Sequence, residues 1–229
     1  MNILFWDIDG TLLRAARAGV YAFQEATEEL YHTSIDFTGI KTSGMTDYYI
    51  AEQIINNITG HQSTHEKTSA LIKRYEELLP AHLAARKGII MPSVQAILAH
   101  FDKRQDYISL LLTGNTYAAA AAKLRHYGLA KYFDFTASAF CHQSPDRSAI
   151  ASQALQSIQQ HYPSMASNNI FIIGDTPNDI QCGKAIGART IAVATGIYSI
   201  DALSSHKPWW AIECLPSPAE FESKLQLLT

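Results

Sequence analysis

Five short apolar runs punctuate this chain of 229 residues, and stretches of helical period separate them. The runs are NILFW at 2–6, YISLLLT at 107–113, YFDFTASAF at 132–140, NNIFIIGD at 168–175 and TIAVAT at 190–195. A strand that is apolar on both faces belongs inside a sheet covered on each side. Strands that alternate with helices build a doubly wound, parallel α/β sheet. Between the runs, NTYAAAAAKLRHYGL offers Asn115 or Thr116 as a helix cap and Gly128 as a stop. DRSAIASQALQSIQQHYP places Ile150, Ala154, Leu155 and Ile158 on one helical face and ends at Pro163.

Residues 14–88 break the alternation. Val20, Phe23, Ala26 and Leu30 recur at helical spacing, TDYYIAEQIINNITG repeats the pattern from a Thr46 cap to Gly60, and a third helix carries Leu71, Ile72, Tyr75, Leu78 and Leu79. Ser63-x-x-Glu66 has the spacing of a capping box for that third helix. The expected organisation is a core of residues 1–13 and 89–229, interrupted by an all-helical insert at 14–88.

In an open α/β sheet, ligands bind beyond the carboxyl ends of the strands. The first strand is followed by Asp7-Ile8-Asp9-Gly10-Thr11, the second by Thr113-Gly114-Asn115, and the NNIFIIG run by Asp175-Thr176-Pro177-Asn178-Asp179. Parallel strands bring these segments to one edge. Two carboxylates about 4 Å apart at an effective dielectric near 20 repel by roughly 4 kcal/mol, so a cation is required among them. The candidate ligands are all oxygens, which suits Mg²⁺ better than zinc. Asp7 and Asp9 point the same way on an extended chain, and Gly10 permits the sharp turn that follows. Thr113 offers a hydroxyl, Gly114 a bare N–H, and the helix near Asn115 an N-terminus that favours an anion such as phosphate.

Asp7 and Asp9 in DIDGTLL, Thr113 in LLLTGN, and Asp175 and Asp179 in IIGDTPNDI together resemble the haloacid dehalogenase-like (HAD) superfamily, most closely its phosphoglycolate-phosphatase-like group. MPSVQAILAHF, KLRHYGLAKYFD and AVATGIYSIDAL extend the likeness over nearly the whole core, and the insert resembles the group's helical cap. The resemblance implies a phosphatase acting on a small phosphorylated metabolite. Asp7 would become an aspartyl-phosphate, and Asp9 would be general acid and then general base. Mg²⁺ would be held by the Asp7 carboxylate, the Asp9 backbone carbonyl and Asp175, with Asp179 assisting. The family places a lysine between its second and last motifs, but no lysine lies between Lys131 and Lys184. Arg147 is the candidate for that role, expected to bind phosphate with Thr113, Gly114 and Asn115; its replacement by alanine is expected to lower turnover severely and leave the fold intact. By family position, the cap loop at Thr42, Ser43 and Gly44 faces the site and helps select the substrate.

A phosphosugar mutase and a non-catalytic phospho-accepting module share parts of this pattern. A mutase must hold a bisphosphate, and the segment from Lys41 to Asp47 offers little basic character for that. A receiver-like module needs neither the insert nor a second acid at Asp9, while Asp9 itself disfavours the dehalogenase branch. A formal charge of −3 without a Lys/Arg stripe argues against nucleic-acid binding. No run approaches membrane-span length, and no basic leader precedes Asp7. Cys141, Cys182 and Cys214 form no CxxC pair. A reduced, cytoplasmic protein is expected, as a monomer or small homo-oligomer. Trp209 and Trp210 are expected in a late strand against the core.

Overall fold

The computed structural model describes residues 2–142, 146–163 and 169–226. Its strands are β1 (Asn2–Trp6), β2 (Leu13–Arg14), β3 (Ile89–Ile90), β4 (Tyr107–Leu111), β5 (Asn169–Gly174), β6 (Arg189–Val193) and β7 (Trp210–Ile212). The helices are α1 (Ala18–Tyr31), α2 (Asp47–Thr59), α3 (His65–Ala84), α4 (Val94–Phe101), α5 (Tyr117–His126), α6 (Arg147–His161), α7 (Pro177–Ala185), α8 (Ile200–Ser205) and α9 (Pro218–Gln226).

Five strands form one sheet in the order β4-β1-β5-β6-β7, and every neighbouring pair is parallel. All five residues of β1 are buried. Alternation sends Leu4 and Trp6 into a core with Phe101, Phe171 and Phe221. It sends Ile3 and Phe5 to the opposite face, against Ile150, Ala154 and Ile158 of α6. Two buried faces are what the uninterrupted apolar run of β1 demands.

The run at 132–140 is not a regular strand. A short 3₁₀ turn at Ala130–Tyr132 leads into a loop joined to β4 by the Leu112–Ala139 bridge and by the Leu111 N–H donating to the Ser138 hydroxyl at 2.9 Å. Asp134 captures the Thr136 N–H at 2.9 Å, and the Ser138 hydroxyl donates to the Asp134 carbonyl at 2.6 Å. These local bonds turn the backbone away from a ladder, so the aromatic residues there mark packing rather than strand pairing. The fifth strand is instead β7, which begins at Trp210. Asn168, from the NNIFIIGD run, and Gln143–Pro145 ahead of α6 lie outside the described residues.

Helices α1–α3 form the insert between β2 and β3. Phe23 of α1 and Tyr75 of α3 stack with ring centroids 3.9 Å apart, alongside buried Ile54 and Leu71. Thr46 caps α2 by accepting from the Tyr49 N–H, and Gly60 ends it in the left-handed region. The α3 cap is Thr64 rather than Ser63: the Ser63 hydroxyl is 2.7 Å from Thr68 Oγ1, leaving Thr64 to accept from the Lys67 N–H. The chain leaves and re-enters the core through an antiparallel pair in which Leu13 faces Ile90 and Arg14 faces Ile89.

Candidate active site

The carboxyl ends of β1, β4 and β5 converge beneath the insert. Asp7 is buried at the end of β1, its N–H bonded to the Ile173 carbonyl at 2.9 Å. Asp175 follows β5, and the Thr11 hydroxyl donates to it at 3.0 Å. Gly10 has φ +89°, and a side chain there would put Cβ 2.7 Å from the Asp175 carboxyl carbon. A Cβ on Gly196 would come equally close. Two glycines therefore make room for one carboxylate.

Asp179 is fully buried in the first turn of α7. Its Oδ2 accepts from the Thr176 N–H at 3.0 Å and from the Thr176 hydroxyl at 2.6 Å, closing a capping box. Its Oδ1 pairs with Arg147, whose Nη2 is also 3.2 Å from Asp7 Oδ1. Arg147 opens α6 and is buried, so one guanidinium ties two acids from different strand ends. Burial opposes its charge, but Asp179 and Asp7 outweigh that and raise its pKa.

Asp7, Asp175 and Asp179 each offer a carboxylate oxygen, all within 4.8 Å of one another. Burial pushes the Asp7 carboxyl well up from its ordinary value despite Arg147, with Asp179 and Asp9 adding to the rise. Asp175 is raised by burial and by Asp7 and Asp179, against the Thr11 hydrogen bond. Arg147 alone leaves this group short of positive charge. A dry, all-oxygen trio of this kind fits a hard divalent cation.

The Asp9 side chain turns out of the trio. Its Oδ2 accepts from Asn115 Nδ2 at 2.8 Å and from Lys123 Nζ at 2.6 Å. Asn115 therefore bridges Asp9 to Thr113, whose Oγ1 it reaches at 2.9 Å, as well as lying at the entrance to α5. Thr116, not Asn115, caps α5. The cap loop reaches the same place. The Gly44 carbonyl accepts from Asn178 Nδ2 at 2.7 Å and Arg147 Nη1 at 3.3 Å, while the Asp47 N–H donates to the Gly114 carbonyl at 2.8 Å. Asp47 Oδ2 in turn accepts from the Thr116 N–H at 2.8 Å. Between insert and core lies a cavity of about 590 Å³. Asp7, Asp9, Gly114, Asn115, Arg147 and Asp175 line its floor, and Thr42, Ser43 and Gly44 line its wall.

Among the cavity residues that the sequence did not single out are Lys123, Asp47 and Tyr75. Lys123 had a signal. It lies eight residues after Asn115, just over two helical turns, on the face shared with buried Ala119 and Ala120. A lysine on the dry face of a helix requires an acid nearby. Asp47 and Tyr75 had none, because only the docking of the insert brings them to the core.

Residues 3–193 match the model of the haloacid dehalogenase-like hydrolase family. The chain belongs to that family. Several solved structures share the fold of this family member at low sequence identity. A predicted β-phosphoglucomutase from Bacteroides vulgatus is 17% identical with a TM-score of 0.71, over 99% of this chain and 89% of that one. A predicted phosphatase from Clostridium acetobutylicum is 17% identical with a TM-score of 0.69, over 99% and 98%. A predicted phosphoglycolate phosphatase from Haemophilus somnus is 15% identical with a TM-score of 0.65, over 99% and 97%. No curated protein matches the sequence. Among the described residues of this hydrolase, no helix is long and apolar enough to cross a membrane.

Proposed function

We propose that this hydrolase is a Mg²⁺-dependent phosphatase of small phosphorylated metabolites. The observation that carries the reading is the buried trio of Asp7, Asp175 and Asp179, two of whose members, Asp7 and Asp179, pair with Arg147, beside a cavity lined by Asp7, Asp175 and Asp9. When bound, Mg²⁺ would neutralise these acids and the phosphoryl oxygens, held by Asp7, Asp175 and the Asp9 backbone carbonyl with Asp179 in support. Arg147 fixes the Asp7 carboxylate and, with the Thr113 hydroxyl and the N–H groups of Gly114 and Asn115, receives the phosphoryl oxygens.

An Asp7 oxygen forms a bond to phosphorus as the bond to the leaving oxygen breaks, and Asp9 gives that oxygen a proton. Asp9 then takes a proton from water as it attacks the aspartyl-phosphate, freeing phosphate and restoring Asp7. The helical cap, residues 14–88, closes over a core of 1–13 and 89–229 and keeps bulk water out of the first step. The loop at Thr42–Gly44 selects the leaving group.

The test is phosphate release from a panel of phosphorylated metabolites with and without Mg²⁺, beside Asp7→Asn. Turnover that requires both Mg²⁺ and Asp7 is expected. Equal activity in Asp7→Asn overturns the reading, and a stable phosphoprotein without turnover would assign a phospho-accepting module instead. A sugar bisphosphate that is isomerised rather than hydrolysed would assign a mutase.

A further inference from the structure

The assigned chemistry leaves Lys123 unused, although it is the cation closest to Asp9. Its side chain is 6% exposed, against 47% for Asp9. Burying an ammonium costs several kcal/mol unless it is paired and hydrogen-bonded, and here the pairing is built in. Lys123 Nζ donates to Asp9 Oδ2 and to Asn115 Oδ1, both at 2.6 Å, while Asn115 Nδ2 donates to the same Asp9 oxygen at 2.8 Å. The three side chains close a ring, and Asn115 is pinned from below by Thr113 Oγ1.

The ring is asymmetric. Every hydrogen bond to the Asp9 carboxylate among the described residues falls on Oδ2, and Oδ1 has no protein partner. A carboxylate on a half-exposed turn would otherwise rotate about its χ angles among several positions. We propose that Lys123 is a positioning residue for the reaction: through one oxygen it locks Asp9 in the orientation that presents the other oxygen to the leaving group. This rests on the assignment of Asp9 as general acid and base. Lys123 and Asn115 both belong to the segment that opens and forms α5, so the phosphate loop and the acid share one rigid support.

The role makes a prediction that simple structural support does not. A poor leaving group such as an alkoxide needs its proton, whereas p-nitrophenolate departs without one. Lys123→Met should therefore lower the single-turnover rate of leaving-group release by about 100-fold or more on an alkyl phosphate and by less than about tenfold on p-nitrophenyl phosphate, a step that precedes the hydrolysis common to both, with little change in KM. Lys123→Arg, which keeps a charged donor, should recover part of the loss. Removing the ammonium leaves the nearby Asp47 without its cation, so the pair is also tested in an Asp47→Asn background, which keeps the variant foldable. Asp9→Asn serves as the reference.

If Asp9→Asn discriminates between the two substrates but Lys123→Met lowers both equally or neither, the positioning role is wrong and the phosphatase reading stands. A raised KM with unchanged kcat would make Lys123 a substrate-binding group and also overturn the proposal. If Asp9→Asn fails to discriminate, the acid assignment itself falls and the positioning role falls with it.

Discussion

Asp47 ties the insert to the core through the Gly114 carbonyl and the Thr116 N–H, and its ionisation should be visible in the stability of the whole molecule. It is 6% exposed, and burial pushes its carboxyl from 3.8 up to about 7. Lys123 and the Thr116 N–H oppose the rise, while Asp9 and Glu76 add to it. A displacement of that size corresponds to about 4 kcal/mol of resistance to ionisation, since each pH unit is worth about 1.36 kcal/mol. The folded state prefers the neutral carboxyl. Its stabilising effect is thus complete below about pH 4 and is lost as pH rises through about 7. Asp47→Asn keeps an acceptor for the Thr116 N–H and cannot ionise. Urea unfolding of both proteins between about pH 5 and about pH 8 is the assay. The variant should gain on the parent by up to about 2.7 kcal/mol over that range, two pH units at about 1.36 kcal/mol each, and by less to the extent that opening the insert hydrates the charge. Asp7 and Asp175 titrate in both proteins and cancel in the difference. A difference that stays constant with pH would refute the argument.

Arg147→Met leaves Asp7 and Asp179 buried without their shared cation. It should destabilise the fold by about 3–5 kcal/mol by denaturation and abolish turnover. The burial of Arg147 thus replaces the expectation from sequence that its removal spares the fold. Mg²⁺ at about 100 times its dissociation constant should stabilise the protein by about 2.7 kcal/mol, raising Tm in calorimetry; Asp175→Asn should abolish most of that gain. Gly114→Ala would drive a methyl into the Met45 carbonyl oxygen and to 3.1 Å from Arg147 Nη1. It should raise KM about tenfold or more in steady-state kinetics and also lower Tm, because the atom it meets is backbone of the insert that must move.

The strand runs at 2–6 and 169–174 and the acids that follow them were legible because period and position carry the information locally. An apolar stretch ending in Asp-x-Asp-Gly declares both a covered strand and a charged rim. Arg147 was legible from charge and place. The 132–140 stretch misled because aromatic residues suit strands and packed loops alike, and only Asp134 and Ser138, acting on neighbouring backbone, decide between them. Thr64 displaced Ser63 as a cap because Ser63 had a better partner five residues ahead. Asp47 and Tyr75 reach the cavity through contacts between segments distant in sequence, for which periodicity has no signature.

The ribbon formed by Leu13–Arg14 and Ile89–Ile90 has a consequence for how such a hydrolase can change. The polypeptide departs and returns at neighbouring points, so everything between them is grafted on a single stalk. A tight turn could close that stalk with the central sheet untouched. Helices of another length or lining could be exchanged there while the acids at the sheet edge keep their spacing, which makes the choice of leaving group a replaceable cassette.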